Sequence, residues 1–238
     1  MPLFLANPST KQVTSQEPVR ADHPARGARS TVTHHTVGAG TEVTQGASSL
    51  RVPATEKKKT LDTDLNGDGH PDLAVGNAQG ASVSVLLGDG LGHFSAAKGY
   101  AAGNVPSAVV IGDFNRDGRA DLAVANNGDH TISLLLGGVD GDFAAAQHTA
   151  AGAVPYGLVA GDFDGDQRLD LAVAANGEDS VHVLLGDGAG GFGTAAILPS
   201  GRGPRGLAGG DLNGDGKPDL VSANYGGDSV SVFLNLSQ

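Results

Sequence analysis

The chain has no cysteine and no tryptophan, a single methionine, and only seven Phe and three Tyr among its 238 residues. Without cysteine, neither a disulfide nor a thiolate metal site can hold the fold together. That absence leaves the compartment open, because a bound cation can do the stapling that disulfides do in many exported proteins. No apolar run approaches the roughly 18–20 residues of a membrane-spanning helix. The opening Met1-Pro-Leu-Phe-Leu-Ala-Asn7 lacks a basic start and a long apolar stretch, so it reads poorly as an export signal. Export by another route, or a start further upstream, is the corresponding expectation. No basic stripe interleaved with aromatics occurs, which excludes nucleic acid as a partner. There is no G-x-S-x-G elbow and the eight histidines are scattered, so nothing nominates a catalytic site.

What the chain has in quantity is glycine, 38 residues. Glycine costs roughly 1 kcal/mol in a helix interior, so this composition suits short strands joined by tight turns. Acidic residues outnumber basic ones by 26 to 15, a formal net charge of −11. Half of the acids fall in four loops of one design, spaced by 49 residues. The oxygen-bearing or variable positions 1, 3, 5, 7 and 9 are Asp64, Asn66, Asp68, His70 and Asp72 in the first loop and Asp113, Asn115, Asp117, Arg119 and Asp121 in the second. They are Asp162, Asp164, Asp166, Arg168 and Asp170 in the third and Asp211, Asn213, Asp215, Lys217 and Asp219 in the fourth.

This spacing suits Ca²⁺, a hard cation that takes six to eight oxygens. Side chains at positions 1, 3 and 5 curl round one point and position 9 adds a carboxylate. Position 7 supplies its backbone carbonyl only, so its side chain varies and, when basic, is expected to point away. Gly69, Gly118 and Gly216 at position 6 allow the left-handed backbone that the curl needs, and Gln167 in the third loop is the exception. The fourth acid of that loop, Asp164, compensates in charge. Four bound ions would bring the formal charge to −3, so the acidity is local ligand charge and not a field for basic partners. An EF-hand loop begins in the same way but needs a glutamate at position 12 and flanking helices. Position 12 here is Val75, Val124, Val173 or Ser222, and the flanks alternate like strands.

A 49-residue period means repeat architecture. Each unit reads as a Pro-led apolar strand (from Pro106, Pro155 and Pro204), the acidic loop, and a second strand starting at Leu73, Leu122, Leu171 or Leu220. A third strand alternates through Val83/Val85, Ile132/Leu134, Val181/Val183 and Val230/Val232, and a fourth starts near Phe94, Phe143 or Phe192. Four short strands per unit predict an all-β fold, a β-propeller of four-stranded blades over residues 45–238. The last unit ends before its fourth strand. The segment Ala47–Val52 is placed to complete it and close a four-bladed ring; the alternative is part of a larger ring. Residues 1–44 read as a flexible tail, in which His34 and His35 are not assigned to a metal. Lys57–Lys59 read as a solvated strand end and Asn235-Leu-Ser237 as a weak glycosylation acceptor. Gly186-Asp-Gly-Ala-Gly-Gly191 matches a dinucleotide pattern but leads into a strand, so a hairpin turn is expected.

Asp-Leu-Asn-Gly-Asp-Gly followed by Pro-Asp-Leu, and then Val221-Ser-Ala-Asn-Tyr-Gly-Gly-Asp-Ser-Val-Ser-Val-Phe-Leu234, resembles the FG-GAP/VCBS-type repeat over about residues 57–238. The resemblance implies a β-propeller like that of integrin alpha subunits, with Ca²⁺ held between the first two strands of each blade and about four ions in all. The expected function is a non-enzymatic, secreted or cell-surface binding or adhesion module with a protein or glycan ligand. A lectin-like propeller and an accessory domain of a larger secreted enzyme are the alternatives. A closed ring implies a monomer; an open one implies a dimer or a longer chain.

Overall fold

The computed structural model describes residues 35–36, 41–45, 48–50, 64–193 and 196–237. The 49-residue period becomes a series of antiparallel sheets. The first holds β4 (Leu73–Asn77), β5 (Ser82–Leu86) and β6 (Lys98–Ala101), in that order. The second holds β7 (Pro106–Gly112), β8 (Asp121–Asn126), β9 (Thr131–Leu135) and β10 (Gln147–Ala150). In the third are β11 (Pro155–Gly161), β12 (Asp170–Ala175), β13 (Ser180–Leu184) and β14 (Ala196–Pro199). The fourth has β15 (Pro204–Gly210), β16 (Asp219–Asn224) and β17 (Ser229–Phe233). No α-helix occurs among the described residues.

Register repeats as faithfully as sequence. Val110 pairs with Ala123 and Ala123 with Leu134; 49 residues on, Val159 pairs with Ala172 and Ala172 with Val183. Each opening strand carries an irregularity next to its proline, as between Pro106 and Ala108. Proline has no N–H to give to the ladder, so a bulge at a strand's start is where a sheet tolerates it.

The sheets stack as blades. Phe163, Ala172, Ala174, Val181 and Val183 of the third blade form one apolar cluster with Leu207, Leu220 and Phe233 of the fourth. Phe114, Ala123, Ile132 and Leu134 meet Leu158, Leu171, Val173 and Leu184 in the same way, and so do Leu65, Ala74, Val83 and Val85 with Val109, Leu122, Val124 and Leu135. The alternation read from the sequence is therefore real, and both faces of the middle blades are apolar because each has a neighbour on both sides. β8 and β12 are buried throughout.

Two expectations about the strands change. Phe94, Phe143 and Phe192 do not open the fourth strands. Each makes a single bridge to Gly88, Gly137 or Gly186, and the fourth strand starts four residues later. The segment expected to complete the last blade goes elsewhere: β3 (Ser48–Leu50) pairs in parallel with β7, not with β17. β3 also pairs with β2 (Thr41–Gln45), which pairs with β1 (His35–Thr36). Closure of a ring is thus not seen, and the outer edge of β17 has no strand beside it among the described residues. The flexible tail expected over 1–44 and the lysines Lys57–Lys59 lie, apart from β1 and β2, outside the described residues.

Gly186-Asp-Gly-Ala-Gly-Gly191 is a hairpin turn, as expected. Asp187 Oδ1 accepts the N–H groups of Ala189 and Gly191 at 2.7 and 2.8 Å. The glycine that opens each such turn is needed for close approach. A Cβ on Gly137 would stand 2.1 Å from the Ala120 carbonyl oxygen, and one on Gly186 2.1 Å from that of Leu169. Gly137→Ala is therefore expected to lower the melting temperature by roughly 4–12 °C, from about 2–3 kcal/mol of backbone displacement. A thermal melt that leaves it unchanged would show that the turn can move aside.

Candidate metal centre

In the last three blades the acidic loop joins the first strand to the second, in the first blade it leads into β4, and local chemistry folds it. Asp and Asn cap backbone N–H groups two to five residues on, which stabilises turns over strands or helices. In the first loop Asp64 Oδ1 accepts from Gly67 and Asp68, and its Oδ2 from Gly69, at 2.7–3.1 Å. Asn66 Oδ1 accepts from Asp68, and Asp68 Oδ1 from His70, at 3.0 and 2.8 Å. The third loop repeats this with Asp162, Asp164 and Asp166. The second and fourth follow the same plan.

The backbone curls through two left-handed residues per loop. At position 6, Gly69, Gly118 and Gly216 have φ between 82° and 85°, and Gln167 has φ 67°. Position 4 is also left-handed, a requirement not inferred from the sequence: Gly67, Gly165 and Gly214 have φ near 80°, and Arg116 has φ 60°. A side chain there costs about 1 kcal/mol. Gln167→Gly and Arg116→Gly should each raise the denaturation midpoint slightly, by up to about 1 kcal/mol, partly offset by the greater freedom of glycine in the unfolded chain.

The carboxylates of Asp162, Asp164 and Asp166 converge, each offering an oxygen within 4.8 Å of the others. The remaining loops have Asn at position 3, and the shared hydrogen-bond plan puts its Oδ1 where Asp164 has an oxygen. Basic side chains at position 7 do not all point away. The guanidinium groups of Arg119 and Arg168 turn back and pair with Asp117 and Asp166 of their own loops. The surplus of negative charge in a small loop attracts the nearest cation on a stem long enough to return. Lys217 instead reaches the Ser237 carbonyl, and His70 lies against the turn at Gly90.

Position 9 has a different place from the other acids. Asp72, Asp121, Asp170 and Asp219 are at most 1% exposed. One oxygen of each accepts the N–H of its loop's second residue, Leu65, Phe114, Phe163 or Leu212; the other accepts an N–H sixteen residues on, from Gly88, Gly137, Gly186 or Asn235. All eight bonds measure 2.7–2.9 Å. The carboxylate thus ties the start of the loop to the far end of the third strand, and Asp170 stands outside the converging triad. The sequence signal for this was a constant gap of sixteen residues from the ninth position to a turn glycine. Asn235, which replaces that glycine in the last unit, is 1% exposed and donates its side-chain N–H to the Phe163 and Pro218 carbonyls. Its burial makes it unfit as a glycosylation acceptor.

Burial raises the Asp170 pKa to about 6 and raises those of Asp72, Asp121 and Asp164 as well. Asp68 is held low by the Asn66 side chain, and Asp211 by the Gly216 N–H. The folded protein therefore binds protons more readily than the unfolded chain between about pH 4 and pH 6, so stability without divalent cations should rise as pH falls from 7 to about 5. Below about pH 4 the groups held low become protonated and stability is lost. Melting temperatures measured in chelator across this range check the sign; a steady fall from pH 7 to 5 would contradict it.

Among the described residues, no helix is long and apolar enough to cross a membrane. Blades of antiparallel strands, each with an acidic loop of one design, define a β-propeller-type repeat protein. FG-GAP-like repeat sequences match residues 64–124, 113–173 and 162–222, which together exceed half of the chain. The chain belongs to the FG-GAP-like repeat family. No curated protein matches it. Among solved structures it is similar to a chain of the Photorhabdus luminescens Tc holotoxin pore, at 15% identity and a TM-score of 0.47, covering 90% of this chain and 12% of that one. It is also similar to BBS1N in complex with ARL6DN, at 15% identity and a TM-score of 0.46, covering 86% of this chain and 60% of that one. The chain spans less than two thirds of each, and likenesses this distant carry no functional argument.

Proposed function

We propose that the protein is a non-enzymatic binding module that works outside the cytoplasm and is stapled by about one Ca²⁺ per blade. The convergence of Asp162, Asp164 and Asp166 on one point supports this reading most directly. The proposed ligands are the side chains at positions 1, 3 and 5 and the backbone carbonyl at position 7, an all-oxygen set suited to a hard cation. The buried aspartate at position 9 holds the two ends of that set together through its two backbone hydrogen bonds. Extracellular Ca²⁺, at millimolar levels, fills weak sites that cytosolic levels leave empty. Calorimetric titration of chelator-treated protein should give about four sites. A flat titration in which Ca²⁺ releases no heat and moves no backbone amide resonance of the loops would end the proposal.

A further inference from the structure

Each blade has a front, which meets the blade before it, and a back, which meets the blade after it. Positions related by 49 residues allow the fourth blade's back to be compared with the other three. Leu65, Phe114 and Phe163 are at most 4% exposed, but Leu212 is 54% exposed. Val83, Ile132 and Val181 are at most 1% exposed against 42% for Val230, and Val85, Leu134 and Val183 at most 2% against 48% for Val232. The same apolar face that is buried three times is thus bare the fourth time. It continues into a cleft of about 380 Å³ lined by Arg205, Ala223, Tyr225 and Val230. At the equivalent of Ala223 in the first blade, a Cβ on Gly76 would touch the Pro106 ring of the next blade, 3.1 Å away. The cleft is where another blade's opening strand belongs.

The chain also shows what covers such a face, since in all three cases it is the front of another blade. Among the described residues, one front is not already so used. On β4 and β5, Leu73, Val75 and Leu86 are half-buried, whereas their equivalents Leu122, Val124 and Leu135 are fully buried by the blade in front of them. β15–β17 form no packed interface with β4–β6 among the described residues, so the bare back and the open front do not satisfy each other within one chain. β3, the segment placed to cover the end of the series, is paired with β7.

We propose that the back of the last blade docks on the front of the first blade of a second copy, head to tail. The contact is heterologous, and two arcs joined at both ends would make a closed ring of eight blades, within the range that propellers span. It continues the blade-to-blade packing of the chain and removes the contiguous apolar patch that a soluble monomer rarely leaves exposed.

The test is the mass of the whole chain in solution, by light scattering across a concentration series in Ca²⁺. The expected species is twice the 23.7 kDa of the chain. Val230→Asp with Val232→Asp should return it to a monomer, and so should Leu73→Asp on the opposite face. Ser84→Arg, on the same face of β5, serves if Leu73→Asp loses its strand circular dichroism. Mixing a last-blade variant with a first-blade variant should restore a two-chain species, since each retains the face that the other lacks. A monomeric wild-type chain overturns the proposal. So does a dimer broken only by the last-blade variant, because that contact would join two backs.

Discussion

Asp121→Ala, at a fully buried position, should cost about 4 kcal/mol and lower the melting temperature by roughly 8–16 °C. The substitution strands two buried N–H groups, those of Phe114 and Gly137, which now share one carboxylate. An unsatisfied buried donor costs about 1–3 kcal/mol, and a donor that had a charged partner lies toward the upper end. Asp121→Asn should recover about half, because the amide oxygen satisfies one N–H while its NH₂ faces the other. Urea denaturation of the three proteins measures this directly. The loss should be the same with and without Ca²⁺. A loss confined to the Ca²⁺-bound form would mean that Asp121 acts as a ligand and not as a tie.

The second large effect belongs to the ion itself. At a free concentration about ten times the dissociation constant, each site adds about 1.4 kcal/mol, and four sites together about 6 kcal/mol. Chelation should therefore lower the melting temperature by roughly 12–24 °C at neutral pH. Asp166→Asn should remove about a quarter of that difference, because it weakens one loop of four. In chelator the same variant should melt close to the parent, since Asp166 is part-buried and makes one local backbone bond and a pairing with Arg168. The contrast between Asp121 and Asp166 separates the two jobs that acidic residues do in these loops. If chelator leaves the melt unmoved, the calcium reading fails, and the position-9 ties stand regardless.

Much of this was legible in the sequence because a repeat states everything several times. A strict period of 49, alternation through Val181 and Val183, and glycine at loop position 6 depend on local rules, and the strands and turns follow them. The left-handed backbone at Gln167 was also foreseeable, since three glycines at the same position showed what the site demands. The task of Asp121 and its equivalents was not. It depends on a partner sixteen residues away, brought near only when the third strand folds back. Arg116 at a left-handed position was hidden because the left-handed requirement was inferred at position 6 alone. The return of Arg119 and Arg168 to their own loops reflects a balance of charge and stem length that spacing does not encode. The pairing of β3 with β7 was missed because a three-residue segment carries too little pattern to choose its edge.

The serial arrangement of the blades has a kinetic consequence. Among the described residues each blade packs on those next to it in sequence, so the stabilising interfaces there are between neighbours and the molecule behaves as a one-dimensional array. Amide protons of β8 and β12, flanked on both sides, should exchange last. In a separated chain those of β16 and β17 should exchange first, since the final blade can then open without disturbing the rest, and docking on a second copy should slow them. The same 1 kcal/mol would then be felt differently by position. In the middle it weakens the whole array, and at the end it sets how often the last blade swings free.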